Sequence, residues 1–297
     1  MTEIIDGNAV AADVRSGLSD AMDTLADEDV TPCLATVLMS TDPASETYVS
    51  MKHSDCEEVG IATRDYEIDP EAPAEELYDT IDELNAADDV HGILVQMPVP
   101  DHVDEREVLR RIDPAKDVDG FHPENVGRLV AGHPRFKPCT PHGIQKLLAA
   151  TDVETEGADV VVLGRSNIVG KPMANLLVQK AEMGNATVTV CHSRTENVAE
   201  KTRAADVVVA AVGVPEFLTG DMLSAGCVVI DVGINRVETD TEKGYELVGD
   251  VAYESAEEKA SAITPVPGGV GPMTRAMLLW NTVKAAGESS GVDVDLP

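Results

Sequence analysis

The chain has 297 residues, enough for two domains of ordinary size, and 43% of them are hydrophobic, which excludes wholesale disorder. Its 54 acidic residues outnumber 22 basic ones, and a formal charge of −32 excludes a nucleic-acid partner, which would need a basic surface. The longest apolar runs, such as Val160–Leu163 and Cys227–Ile230, fall far short of the ~20 residues a membrane helix needs.

The chain reads as alternating strands and helices, the pattern of an α/β protein. Val14, Leu18, Ala21, Met22 and Leu25 have helical spacing and predict a helix over Ala11–Asp27. Cys33–Ser40 predicts a buried strand. Asp42-Pro43 then supplies an N-cap and an N1 proline, so a helix should run from Pro43 to Val59, with Gly60 placed to end it. Leu77, Ile81 and Leu84 mark another helix, and His91–Gln96 another strand, stopped by Pro98 and Pro100. Asp113–Pro138 is rich in Pro, Gly and charge with little periodicity and reads as a boundary region. Thr140-Pro141 starts a helix through Ala150. Four apolar strands follow, Asp159–Gly164, Ala186–His192, Asp206–Val212 and Cys227–Val232, the first two separated by a helix over Lys171–Met183. Together these form a nucleotide-binding α/β unit. A last helix runs from Met273 to Ala286. The expected domains are residues 1–139, completed by the C-terminal helix 273–297, and a Rossmann-like domain over 140–272.

The acidity is spread along the chain rather than confined to a tail, and Asp69–Asp89 carries nine acidic residues and no basic one. At molar salt the Debye length shrinks to ~3 Å, so self-repulsion is screened while the carboxylates stay hydrated. The expectation is adaptation to a salty cytoplasm. The N-terminal residues, with Glu3 and Asp6, lack the basic-then-apolar pattern of a signal peptide. Cys33, Cys56, Cys139, Cys191 and Cys227 form no CxxC motif and the seven histidines form no HExxH, so reduced thiols and no metal are expected.

A nucleotide loop is expected where Gly164-Arg165-Ser166-Asn167-Ile168-Val169-Gly170 joins a strand to a helix. Glycines let backbone approach a pyrophosphate, and a helix N-terminus offers free N–H groups. The spacing is not GxGxxG, so an ordinary strand-to-helix turn stays open. The next strand ends in Cys191-His192-Ser193-Arg194, where an NAD enzyme usually places an acid. A hydroxyl and a guanidinium there, with Arg165 in the loop, suit a 2′-phosphate instead. Tyr48 and Lys52 lie four apart on one helical face; a buried lysine of lowered pKa can move protons, although such a pair is more often a solvated face. Gln96 and Asp119 add an amide and a carboxylate at element ends.

As a set these segments are familiar. From about Ile4 to Ala286 the chain resembles the tetrahydrofolate dehydrogenase/cyclohydrolase family. The motifs are Tyr48-Val49-Ser50-Met51-Lys52, Gly92–Pro98, Lys116–Phe121, Pro138–Pro141, Gly164–Met173 and, most specific, Pro267-Gly268-Gly269-Val270-Gly271-Pro272-Met273-Thr274. The resemblance implies two α/β domains with an active-site cleft between them, NADP as cofactor, tetrahydrofolate derivatives as substrates and a homodimer. It implies that Lys52 is catalytic, Tyr48 positions it near the pterin, Gln96 hydrogen-bonds it and Asp119 binds the pterin nitrogens. It further implies that Met97, Pro267, Gly268 and Gly269 line the substrate. Arg165, Ser193 and Arg194 would hold the 2′-phosphate, with Gly164, Ser166, Ile168 and Ile234 along the rest of the cofactor. Two departures stand out: His53 and Ser54 replace the basic residues common after the lysine, and Gln96-Met97-Pro98 replaces the commoner QLP. Rival readings are a shikimate-dehydrogenase-like oxidoreductase, a non-catalytic NADP- or folate-binding regulator, and a dehydrogenase without hydrolase activity.

Overall fold

A computed structural model describes residues 2–151, 153–239 and 244–297. The chain forms two compact units: a first of Ala12–Cys139 with Arg275–Pro297, and a second of Met1–Ala11 with Thr140–Thr274. The domain expected over 1–139 therefore loses its opening residues. The reason is backbone pairing: β1 (Glu3–Ile4) lies parallel to β11 (Ala262–Ile263), with Glu3 N–H donating to Ser261 O at 2.8 Å and Ile5 N–H to Ile263 O at 2.9 Å.

The expected helix over Ala11–Asp27 is two helices, α1 (Gly7–Gly17) and α2 (Ser19–Asp27). At the break Leu18 N–H donates to Arg15 O three residues back, tightening the turn at Gly17. The apolar stripe survives it, since Val14, Leu18, Ala21 and Leu25 are all buried. β2 (Cys33–Leu38) is buried along its whole length at the centre of a parallel sheet of order β3-β2-β4. Its neighbours are β3 (Ala62–Glu67) and β4 (Gly92–Val95), and a continuous apolar run suits a strand covered on both faces.

Between β2 and β3 lies α3 (Pro43–Val59), capped by the Asp42 carboxylate, which accepts from Ser45 N–H at 3.3 Å. Gly60, at φ +87°, ends it. Leu77, Ile81 and Leu84 of α4 (Ala74–Ala86) pack against Cys33, Ala35 and Val37 from one face of the sheet. α5 (Glu105–Arg111) and α6 (Pro123–Val130) follow, and α6 falls inside the stretch expected to be irregular. Its N-cap is His122, whose ring nitrogen accepts from Glu124 N–H at 3.0 Å; Pro123 at its first position is a start signal, but its Val126 and Val130 face solvent and blur the apolar stripe.

α7 (Cys139–Ala150) leads into the second unit. There a six-stranded sheet runs β1-β11-β8-β7-β5-β6, every pair parallel. Its central strands are β5 (Asp159–Leu163), β7 (Val207–Ala210) and β8 (Val228–Asp231), while β6 (Thr187–Cys191) forms an edge. α8 (Gly170–Leu177) follows β5 and stops well short of the expected Met183. The chain turns back there: Ala186 N–H donates to Leu177 O and Asn185 N–H to Gln179 O, with Met183 and Asn185 at positive φ. α9 (Val198–Arg203), an antiparallel hairpin of β9 (Asn235–Glu238) and β10 (Tyr245–Val248), and α10 (Tyr253–Glu257) complete the unit. The last helix, α11 (Val270–Ser290), extends past both expected ends and supplies its residues from Arg275 onward to the first unit. Among the described residues no helix is long and apolar enough to cross a membrane.

Candidate functional site

In the first unit, α3 presents Tyr48 and Lys52 one turn apart. Lys52 Nζ donates to Gln96 Oε1 at 3.0 Å. Gln96 sits just past β4, where its N–H still donates to Val37 O at 2.9 Å. Its side-chain Nε2 donates to Met97 O at 2.8 Å, which turns the amide oxygen toward the lysine. Tyr48 is half-exposed and Met97 partly buried beside a cis Met97–Pro98 bond.

Asp119 stands on the loop after β4's neighbour segment, where Ile93 N–H donates to Lys116 O at 2.8 Å. Two buried side chains fix that loop on either side. The Asp117 carboxylate accepts from Phe121 N–H, His122 N–H and Asn125 Nδ2, the last two at 2.7 and 2.8 Å. Asn281 of α11, wholly buried, donates to Val118 O at 2.7 Å and Lys137 O at 3.0 Å. The Cys139 thiol donates to Val118 O at 3.5 Å, next to Asp119.

Burial lowers the Lys52 pKa from the ordinary lysine value, and the Asp119 charge opposes that shift. Burial raises Asp119, with Lys52 opposing. Burial also pushes Asp117 up to about 7 against its three donors. One turn beyond Lys52, Asp55 pairs with Arg275 at 3.2 Å and ties α3 to α11. A lysine biased toward the neutral amine, held by an amide and close to a carboxylate, can accept and return a proton. A sheltered carboxylate can also accept hydrogen bonds from a ring amine.

In the second unit the loop from β5 to α8 carries Gly164, Arg165, Ser166 and Ile168. Gly164 has φ +118°, and a Cβ there would lie 2.1 Å from Ala211 O, so only glycine fits. Gly170 likewise leaves no room beside Gly164 O. Ser166 Oγ accepts from Val169 N–H at 3.1 Å and Gly170 N–H at 3.3 Å, capping the start of α8. Arg165 and Ile168 are exposed. Ser193 and Arg194 follow β6, the strand paired with β5, and Gly164 N–H donates to Cys191 O at 2.8 Å. Both loops therefore leave the carboxyl ends of adjacent parallel strands, the usual place for a nucleotide.

Among the described residues neither Arg165 nor Arg194 has a carboxylate within 4.0 Å, although the chain has 54 acidic residues. Two unneutralised guanidinium groups at a strand end fit an anion. Ile234, just past β8, is also exposed, as are Ile168 after β5 and Val214 and Phe217 after β7. Pro267, Gly268 and Gly269 belong to this unit, not to that of Lys52. Gly268 has φ +104°, and Gly7 packs so closely on Gly269 O that a Cβ there would sit 1.7 Å away.

A family model for the catalytic domain of tetrahydrofolate dehydrogenase/cyclohydrolase matches residues 5–119, and one for its NAD(P)-binding domain matches residues 138–290. The chain belongs to the tetrahydrofolate dehydrogenase/cyclohydrolase family. It is 73% identical over 296 residues to the bifunctional protein FolD of Haloquadratum walsbyi, covering 100% of this chain and 94% of that one. Among solved structures it resembles the bifunctional FolD methylenetetrahydrofolate dehydrogenase/cyclohydrolase of Campylobacter jejuni, at 46% identity and TM-score 0.91, covering 97% and 99% of the two chains. The Trypanosoma brucei FolD, solved with NADP cofactor and inhibitor, gives 38% identity and TM-score 0.91, covering 97% and 98%.

Within this family setting, the sequence pointed to Tyr48, Lys52, Gln96 and Asp119 but missed what holds them: Asp117, Cys139 and Asn281. It also missed Asp231 and Asp250 in the second unit. The available signal was an acid embedded in an apolar run, as in Val228-Val229-Ile230-Asp231 and Leu247-Val248-Gly249-Asp250-Val251. Such an acid must be heavily hydrogen-bonded if the run is buried.

Proposed function

We propose that the chain oxidises 5,10-methylenetetrahydrofolate with NADP to the 5,10-methenyl form and hydrolyses that to 10-formyltetrahydrofolate. The observation that carries the reading is the Lys52–Gln96 contact at 3.0 Å beside Asp119. NADP, when bound, accepts the hydride. The second unit fits it: Gly164 and Gly170 let the loop between β5 and α8 pack tightly on Ala211 O and on itself at the helix start, and among the described residues Arg165 and Arg194 lack acidic partners. Arg165, Ser193 and Arg194 hold the 2′-phosphate, while Gly164, Ser166, Ile168 and Ile234 meet the rest of the cofactor. Pro267, Gly268 and Gly269 give close backbone approach to substrate.

Asp119 accepts hydrogen bonds from the pterin, and Tyr48 and Met97 flank the ring. Hydride loss leaves a methenyl cation. Water then adds to its carbon; Lys52, as neutral amine, takes one water proton and returns it to the ring nitrogen N5 as the C–N5 bond breaks, and the remaining hydroxyl proton leaves to solvent as the formyl C=O forms. Gln96 keeps the amine aimed. The catalytic function belongs to the first unit and cofactor binding to the second. An absorbance assay in molar KCl tests the reading: methenyl and formyl products should form with NADP, and absence of both would contradict it.

The protein also forms a homodimer through the second unit, in the salty cytoplasm its charge suits. Edge strand β6, with Val190 half-exposed and Val178 more so after α8, supports that face. Light scattering in high salt should give twice the 31.4 kDa chain mass, and a 31.4 kDa particle would rule the dimer out.

A further inference from the structure

Asp250 is wholly buried at the start of the segment that follows β10. Its carboxylate makes four contacts, two to each oxygen. Oδ2 accepts from Val212 N–H at 2.6 Å and Gly213 N–H at 2.9 Å. Oδ1 accepts from Val214 N–H at 3.1 Å and Asn235 Nδ2 at 2.9 Å. Three successive amides of the loop after β7 therefore point at one carboxylate, and Asn235 anchors the loop after β8 to the same group.

The acid is itself braced. Its N–H donates to Asp231 Oδ1 at 2.9 Å, and its carbonyl accepts from Leu218 N–H at 2.9 Å. Asp231, at the end of β8, also accepts from Gly233 N–H and Val251 N–H. A Cβ at Gly233 would lie 2.4 Å from Asp250 Oδ1, so glycine there is what lets the carboxylate reach both loops.

These loops leave the carboxyl ends of β7, which pairs with the β5 strand that carries the Gly164 loop, and of β8, which pairs with β7. Each exposes an apolar side chain beside the clamp, Val214 on one and Ile234 on the other. Two loops at the carboxyl end of one sheet, both hydrogen-bonded to the buried Asp250 carboxylate, form a wall whose amides are turned inward and whose apolar side chains are turned out. A buried carboxylate is costly unless it is fully hydrogen-bonded, so a site that keeps one gains something in geometry.

We propose that Asp250 is a positioning residue for the dinucleotide: its carboxylate sets the Val212–Val214 and Gly233–Asn235 loops in the shape that receives the nicotinamide half of NADP. This rests on the reading that the second unit binds NADP. Asp250 touches no substrate atom and acts through the two loops.

The test uses the full-length protein in molar KCl. Asp250→Asn keeps the size but turns an NH2 toward two N–H donors, whichever way the amide faces. The expected result is an NADP Kd raised at least tenfold and faster hydrogen exchange at the Val212–Val214 amides. The KM for methenyltetrahydrofolate hydrolysis, which uses no nicotinamide, should hold. Asn235→Ala keeps the three amide contacts and releases only the second loop; its NADP Kd should rise about threefold, and it decides the matter if Asp250→Asn does not fold. Unchanged NADP affinity in either folded variant overturns the clamp, as does a parallel fall in NADP affinity and methenyl hydrolysis, which would mark a merely structural role. Wild-type protein that bound no NADP would overturn the underlying reading as well.

Discussion

Cofactor choice should rest on Arg194. Its guanidinium is exposed at the end of β6, and among the described residues no carboxylate lies within 4.0 Å to compete for it. Its backbone is fixed, since Arg194 N–H donates to His192 Nδ1 at 3.2 Å and His192 N–H donates to Thr195 Oγ1 at 2.9 Å. A charge-assisted hydrogen bond to the 2′-phosphate contributes about 1.5–3 kcal/mol, roughly 10- to 100-fold in affinity. Molar salt screens an exposed pair, which places the effect near the lower end. Arg194→Ala should therefore lower kcat/KM for NADP about tenfold and leave that for NAD nearly unchanged, because NAD has no 2′-phosphate to lose. The assay is methylenetetrahydrofolate oxidation followed by absorbance with each cofactor in molar KCl. An NADP/NAD ratio equal in variant and wild type would refute the assignment.

Two further outcomes follow from charge and burial. With a net charge of −32, self-repulsion at low salt should depress stability, so the Tm should climb steeply from low salt to molar KCl; a flat Tm would contradict the halophilic reading. Methenyl hydrolysis should rise with pH as Lys52 loses its proton, with a midpoint below the ordinary lysine value of 10.5 because burial disfavours the charged amine. Asp119 is the group that holds the pKa up, so Asp119→Asn, at saturating substrate, should move the midpoint to lower pH; an upward move would count against the pairing.

The parts of the fold that were legible in the sequence are those whose signals are local. The cap at Asp42, the stop at Gly60, the stripe Leu77–Ile81–Leu84 and the apolar runs of β2, β5, β7 and β8 all reappear as elements at or near their expected bounds. Signals that depend on tertiary partners were not legible. β3 has a half-exposed, charged edge pattern, and β1 has two residues whose only reason to be a strand is β11, far along the chain. That remote pairing is also why the opening residues pack in the second compact unit. The site divides in the same way. Gln96 stands just past the end of β4, Asp119 on a loop and Lys52 within α3, and their residue types hint at chemistry without any tertiary knowledge. Asn281 reads as one polar residue in a helix until its amide is seen bridging Val118 and Lys137, more than 140 positions away. Asp250 gave no cue beyond an acid in an apolar run, because its four donors come from loops that only the parallel sheet brings together.

We propose that Lys52 handles the proton of water addition, and one substitution tests this directly. Hydride transfer needs the two reactants aligned but takes no proton from a side chain, whereas hydration of the methenyl carbon does. Lys52→Met keeps the apolar stem and removes the amine that Gln96 holds at 3.0 Å. Hydrolysis of methenyltetrahydrofolate by this variant should fall by at least the ~10²-fold typical of a general acid–base group. NADP affinity and circular dichroism should stay near wild type, and methylenetetrahydrofolate oxidation should fall less. Full methenyl hydrolysis by the folded variant would contradict the account and place the proton relay on another residue.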